Sequence, residues 1–237
     1  MGRALAVPAR RRSLQISMNA QHQFSQEERE LLYRLIALRR DTRHFEPGGS
    51  VDDAALRRML LAAHQAPSVG LMEPWRFIRL RDASLRAQVL ALVMQERDAT
   101  AAALGERAAE FLSLKVEGLR ECAEVLAVVL SPDDGTVFGR RSMPREMALC
   151  SAACAVQNLW LAARAENLGM GWVSMFDPEA LGRLLGLPAG AMPIGLLCLG
   201  PVERFYEQRM LEEQGWRQGR LSSDPDAPLW SDDRWPG

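Results

Sequence analysis

Arg39-Arg40-Asp41-Thr42-Arg43-His44-Phe45 places three guanidiniums within five residues, with one carboxylate between them. Arginine suits phosphate because its planar fork donates paired hydrogen bonds and stays protonated. The run closes an amphipathic helical pattern, where one or two basic residues would complement the helix dipole. Three, with an embedded Asp and running straight into His-Phe, exceed that need. On these residues alone, an anion-binding site and a solvated basic helix terminus stand level.

A second segment shifts the balance. Ala66-Pro67-Ser68-Val69-Gly70-Leu71-Met72-Glu73-Pro74-Trp75-Arg76-Phe77 reads as a helix exit, a small-residue loop closed by Pro74, and an aromatic strand start. Such a loop lets a flat ligand approach the backbone, with the Ser68 hydroxyl as a polar contact. An ordinary helix-to-strand connection is the plainer reading. Further downstream lie Val137-Phe138-Gly139-Arg140-Arg141, Gln157-Asn158-Leu159-Trp160-Leu161-Ala162-Ala163-Arg164, Gly169-Met170-Gly171-Trp172-Val173-Ser174 and Asp233-Arg234-Trp235-Pro236-Gly237. In this order the segments resemble the FMN-binding nitroreductase superfamily, and more closely its flavin-destroying branch. The resemblance runs from about residue 24 to the C-terminus.

The resemblance implies roles residue by residue. Arg39, Arg40, Asp41, Thr42 and Arg43 match the basic motif that holds the FMN phosphate, ribityl chain and ring edge. Ser68 matches a position lining the flavin. Gly171, Trp172 and Ser174 match the strand that runs past the ring, with the Ser174 hydroxyl near its reactive edge. A basic residue of the C-terminal arm completes the phosphate site in this superfamily; Arg217 and Arg220 both qualify, and Arg220 is preferred. Asp41 stands where common nitroreductases more often carry Ser. A carboxylate beside a reduced, anionic flavin is unfavourable unless it neutralises the arginines or handles protons. The second reading makes Asp41 the general acid/base and Ser174 the hydroxyl that orients intermediates.

Carried through, the resemblance implies that reduced FMN is a substrate. It would be fragmented with molecular oxygen to 5,6-dimethylbenzimidazole and erythrose 4-phosphate, with a separate flavin reductase supplying the electrons. The alternative is a conventional FMN-dependent NAD(P)H nitroreductase or quinone reductase that retains its flavin. A third reading is a non-catalytic flavin carrier. The Ala-rich 98–118 region is a candidate lid, or an ordinary surface helix pair, and the direction of Lys115 within it is open.

Composition excludes other classes. The chain has 237 residues and a net charge of −1, enough for a substantial core and without a global field to recruit nucleic acid or an acidic membrane. No apolar run approaches the roughly 18 residues needed to span a bilayer. Cys122, Cys150, Cys154 and Cys198 all sit in apolar sequence. Cys150 and Cys154 share a helix face at a spacing that could suit a metal. With no second pair and no nearby His, four buried thiols in a reducing cytoplasm, and no metal, is the better reading. Residues 1–23 carry Arg3, Arg10, Arg11 and Arg12 and no acid. They read as a disordered or peripheral leader, and Met18 offers an internal start.

These residues must be positioned by helices and strands in alternation. Ser25-Gln26-Glu27-Glu28 is a capping box opening a helix with Leu31, Leu32, Leu35 and Ile36 on its buried stripe. A second helix starts near Asp52 and ends before Pro67. Trp75 to Leu80 and Ala123 to Leu130 read as strands, with one or two helices over 82–121 broken near 100–105. Pro144 opens a long helix ended by Gly169 and buried on most sides. Strands follow at Gly171 to Met175 and Pro193 to Leu199, with a short helix over Pro178 to Gly186 between them. No G-x-G-x-x-G, G-x-S-x-G or P-loop is present. The expected fold is α+β: a layered nitroreductase-like domain over 24–205, with a mixed central sheet flanked by helices. The arm 206–237, with Trp216, Trp230 and Trp235, would pack on the partner subunit of an intertwined homodimer, as the resemblance implies.

Overall fold

The computed structural model describes residues 23–136, 144–220 and 224. The leader through His22, the 137–141 segment, Trp230, Trp235 and the C-terminal Asp233–Gly237 match lie outside the described residues. The chain divides into two units between Arg34 and Leu35, inside the first helix.

In the first unit the capping box forms as read. The Ser25 hydroxyl accepts the Glu28 N–H at 3.2 Å, and the Ser25 N–H donates to the Glu28 carboxylate at 2.7 Å, so two orphan donors are satisfied reciprocally. This opens α1 (Gln26–Leu38), which contains no buried residue. The stripe expected to be buried is a correction: Leu31 is 57% exposed, Leu32 and Ile36 are also exposed, and Leu35 is half-buried. Periodicity identifies an apolar face but does not say that the same chain covers it.

The second unit is built on a four-stranded sheet of order β1-β2-β4-β3, with β1 at Trp75–Arg79, β2 at Glu124–Leu130, β3 at Gly169–Val173 and β4 at Met192–Gly200. Every neighbouring pair is antiparallel. The mixed character expected of the sheet is confined, among the described residues, to an isolated parallel bridge between Asp41 and Met170. β2 and β4 are central and covered on both faces, which is why they read as unbroken apolar runs. Leu126, Val128, Leu130, Leu197 and Leu199 pack with α2 (Asp53–His64) and α5 (Pro144–Ala165). Val125, Ala127, Leu196 and Cys198 face the other way, onto Val89 and Val93 of α3 (Ala83–Ala103) and Leu181 of α6 (Pro178–Leu184). Each of these Leu and Val side chains, fully buried, contributes about 1.5–3 kcal/mol. The result is helix, sheet and helix layers, an α+β fold.

Local chemistry sets the boundaries. Asp52, Asp82 and Asp177 cap α2, α3 and α6, each accepting main-chain N–H groups of the first turn. α3 stops at Ala103, and a 3-10 turn over Gly105–Arg107 leads into α4 (Ala108–Ser113), so the expected break is real. α5 ends earlier than expected. Asn167 takes the left-handed conformation (φ 57°), and the Leu168 N–H returns to the Ala163 carbonyl at 2.9 Å, a Schellman-type closure. Gly169 instead begins β3. One face of α5 is open, carrying Glu146, Cys150, Ala153, Cys154 and Gln157. Cys122 and Cys198 are buried, whereas Cys150 and Cys154 are exposed, which corrects the expectation of four buried thiols. No described helix is long and apolar enough to cross a membrane.

Candidate active site

The basic run leaves α1 and lies along the free side of β3. The Thr42 N–H donates to the Met170 carbonyl at 2.9 Å. The Trp172 N–H donates to the Asp41 carboxylate at 3.0 Å. Arg43 forms a two-pronged ion pair with Asp41, at 3.0 and 2.7 Å, and donates to the Trp172 carbonyl at 2.8 Å. The Arg43 side chain is 10% exposed and that of Asp41 40%. Arg43 therefore points inward and fixes Asp41; its buried Nε has no hydrogen-bond partner among the described residues.

The Asp41 carboxyl is held above the ordinary carboxylate range. Burial is the main cause, opposed by the Arg43 charge, the Trp172 N–H and the Arg39 charge. A carboxyl so placed holds a proton more readily than a free one.

Arg39 and Arg40 face a cavity of about 300 Å³, at the lower end of small-molecule sites. Asp41, Arg209, Leu211, Glu212 and Arg217 complete most of its wall. Arg39 stacks 4.6 Å from the Trp160 ring centroid. Burial lowers its pKa; Asp41 opposes this and the charges of Arg40 and Arg209 add to it. Arg40 is spent on main-chain carbonyls of Ala37, Arg39 and Glu207, at 2.6, 2.9 and 3.0 Å, and ties the end of α1 to the segment after β4. Its buried Nε has no hydrogen-bond partner among the described residues. Arg209 is paired with Glu212 at 3.0 Å, and Glu212 also accepts the Gly219 N–H at 2.8 Å. A desolvated guanidinium among other guanidiniums favours an anion, and this donor set suits a phosphate.

The remaining sequence-derived residues fall into three places. Thr42 is 4% exposed and faces β3 rather than the cavity. Gly171 is buried, and a Cβ there would fall on the Thr42 carbonyl oxygen and the Arg43 guanidinium. Its missing side chain thus admits this chain's own backbone. The Trp172 indole turns onto β4, donating to the Ile194 carbonyl at 3.2 Å in space left by Gly195, and its main chain holds Asp41 and Arg43. Ser174 is exposed just past the end of β3, two residues beyond the N–H that Asp41 accepts. Ser68 accepts the Glu73 N–H at 3.2 Å and is not on the cavity wall. Its loop carries Gly70, Leu71 and Glu73 at positive φ, with Leu71 86% exposed, a strained projection of the kind found at binding sites.

Arg217, not the preferred Arg220, lies on the cavity wall. Arg209 and Glu212 were not singled out by sequence; their only signal is a charge pair three apart on α7 (Met210–Glu213) and its cap. The arm as far as residue 220 packs on its own chain: Trp216 meets Phe111 at 6.0 Å between centroids and stacks 3.8 Å under Arg107. The 98–118 region forms a small core of Ala101, Phe111 and Leu114 over Met175 and Trp216, next to Ser174. Lys115 is directed to Glu121 at 2.9 Å.

The profile of the nitroreductase family matches residues 36–201, which contain the sheet, the basic run and Ser174. The chain belongs to the nitroreductase family, and so to the flavin-dependent oxidoreductases. Within it, the chain is 40% identical to a 5,6-dimethylbenzimidazole synthase of Rhodobacter capsulatus, over 82% of this chain and 95% of that one. It is 38% identical to the 5,6-dimethylbenzimidazole synthase of Rhodospirillum rubrum, over 83% and 94%. The fold is similar to that of the NADPH:FMN oxidoreductase of Vibrio harveyi, with a TM-score of 0.64 at 16% identity, covering 86% of this chain and 78% of that one.

Proposed function

We propose that the protein fragments reduced FMN with molecular oxygen, releasing 5,6-dimethylbenzimidazole and erythrose 4-phosphate. The observation that carries this reading is the Asp41 carboxyl, held by Arg43 and the Trp172 N–H at the wall of an arginine-lined cavity. The similarity to two synthases of that name supports it.

Arg39 and Arg217, with Arg209 once released from Glu212, would hold the phosphate. Their charges supply binding energy remote from the reacting ring, which can be used to orient it. When bound, reduced FMN supplies the electrons for oxygen and the ring that is opened. Asp41 donates or accepts protons at its free carboxylate surface, while Arg43 keeps it in one orientation. The Ser174 hydroxyl, past the end of β3, orients the reacting groups. The 98–118 region, packed over Met175 and Trp216, excludes water beside Ser174. We assign the protein to a cytoplasmic homodimer that receives reduced FMN from a separate flavin reductase. In that dimer Ser68, off the cavity wall of its own chain, would serve the flavin of the second copy.

The test is aerobic incubation of the purified protein with chemically reduced FMN and mass analysis for 5,6-dimethylbenzimidazole. Product in proportion to enzyme is expected. Intact oxidised FMN with peroxide, together with rapid flavin-dependent NAD(P)H oxidation, would overturn the proposal in favour of a conventional nitroreductase. Inert bound flavin in both assays would favour a carrier.

A further inference from the structure

Tyr206 has no role in the reaction described above, yet it holds the other side of the basic run. Its hydroxyl oxygen accepts the main-chain N–H groups of Arg43 at 3.3 Å and His44 at 3.2 Å, and it lies in short contact with His44 Nδ1. The two rings meet edge to face, 5.9 Å between centroids. A phenol has one proton and two acceptor positions. With both acceptor positions facing N–H groups, the phenol proton is free to go to Nδ1, which can accept it when His44 is neutral and carries its own proton on Nε2.

We propose that Tyr206 and His44 form a pH-sensitive clamp that positions Asp41: closed when His44 is neutral and released when it is protonated. β3 grips residues 41–43 from one side, through Met170 and Trp172. Tyr206 grips the Arg43 and His44 main chain from the other. Arg43, which fixes Asp41, is therefore held at both its backbone and its guanidinium. Protonation turns Nδ1 into a donor, so the Tyr206 oxygen faces three donors and at least one bond is lost. Tyr206 and His44 are positioning residues, since neither lines the arginine cavity; with Glu203 and Arg204 they border a separate one.

The groups around His44 set the sign. Burial is the largest cause and lowers its pKa; Lys115, from the loop before β2, and Arg204, from the segment after β4, lower it further. Glu121 and Glu213 oppose them. The neutral form is thus favoured. The clamp is fully present above the ordinary histidine value of about 6.5 and is lost as pH falls through a lower, shifted value.

The activity arm of the test rests on the proposed reaction; the spectroscopic arm does not. Nitrogen-15 NMR of the full chain between about pH 5 and 8 reports the His44 tautomer and titration. The proton is expected on Nε2. Tyr206→Phe removes the donor to neutral His44 and should raise its pKa. The Trp172 amide, which donates to Asp41, should shift with His44 titration in the native protein and lose that response in Tyr206→Phe. A proton on Nδ1, an unchanged His44 pKa in Tyr206→Phe, or a Trp172 amide silent to His44 would each overturn the clamp, whatever the reaction. For turnover of reduced FMN, Tyr206→Phe should lower kcat about five-fold. His44→Asn, which can accept the same proton without titrating, should move the acid limb to lower pH. A native acid limb in His44→Asn would also overturn it. Absence of dimethylbenzimidazole from the native enzyme would instead overturn the reaction and leave the NMR result to decide the clamp.

Discussion

The Asp41 carboxylate accepts the main-chain N–H of Trp172 at 3.0 Å, across the bridge that sets residue 41 beside Met170. A side chain thus takes a bond that a strand's own carbonyl would otherwise make. The acid is fixed to the sheet before any ligand arrives, and its remaining surface opens on the arginine cavity.

Asp41→Asn retains an acceptor for Trp172 and removes the titrating group. Product formation from reduced FMN should fall by about 10²- to 10⁴-fold, with a much smaller change in FMN affinity. Single-turnover mass analysis beside a binding titration separates the two.

The same variant carries a stability signature. Because the Asp41 pKa is raised, chiefly by burial, its ionised form costs folding free energy at neutral pH. That cost is full above the raised value and disappears as pH falls below the ordinary carboxylate range. Asp41→Asn should therefore lose less stability, relative to the native protein, at pH 7 than at about pH 3.9, on top of a pH-independent loss from leaving the buried Arg43 guanidinium without its counter-ion. Thermal melts across this range check the sign of the pH dependence; a loss that grows as pH rises would contradict it.

Arg43 and Arg39 should separate cleanly. Arg43→Met strands Asp41 and the Trp172 carbonyl and should destabilise by about 3 kcal/mol, read by urea denaturation. Arg39→Ala removes a half-buried cation of the cavity wall and should weaken FMN binding about 10- to 100-fold with little change in urea midpoint. Arg217→Ala should resemble Arg39→Ala, and Arg220→Ala should weaken binding less, as measured by quenching of flavin fluorescence.

Gly171→Ala places a methyl group where the Thr42 carbonyl lies. Separating residues 41–43 from β3 should cost about 1–3 kcal/mol and abolish most turnover, although no ligand contact has been removed. Unchanged activity would show that residues 41–43 can shift without harm.

Trp216→Ala removes the side chain between Phe111 and Arg107. Amide exchange over 104–114 should accelerate, and turnover should release more peroxide per flavin consumed as water gains access. Protection equal to the native protein would rule out Trp216 as an anchor for this region.

Much of the architecture was legible because local chemistry and burial agree. The Ser25–Glu28 capping box, the Asp52 cap, and the unbroken apolar runs of β2 and β4 each report a local requirement. What sequence left unresolved is direction. The Arg39–Arg43 run showed that guanidiniums gather here, but not that Arg43 turns inward to Asp41 while Arg39 faces the cavity. Gly171 was matched to the strand that runs past the ring, but not as the point where the Thr42 backbone packs against that strand. Arg217 and Arg220 differ only in where the segment after α7 carries them, which no motif encodes. The apolar stripe of α1 is open, and α5 leaves Cys150, Ala153 and Cys154 exposed beside Glu146 and Gln157, because periodicity does not name the covering surface.

β3 is the last strand of the sheet, and its outer polar groups are taken by the basic run: Met170 by Thr42, and Trp172 by Asp41 and Arg43. An uncovered strand rim is a template on which other chains can assemble. The segment proposed to carry the chemistry is also the selvedge of the sheet, closing it against fraying into aggregates. Substitutions that loosen these residues should therefore bare the rim and promote aggregation as well as lower activity.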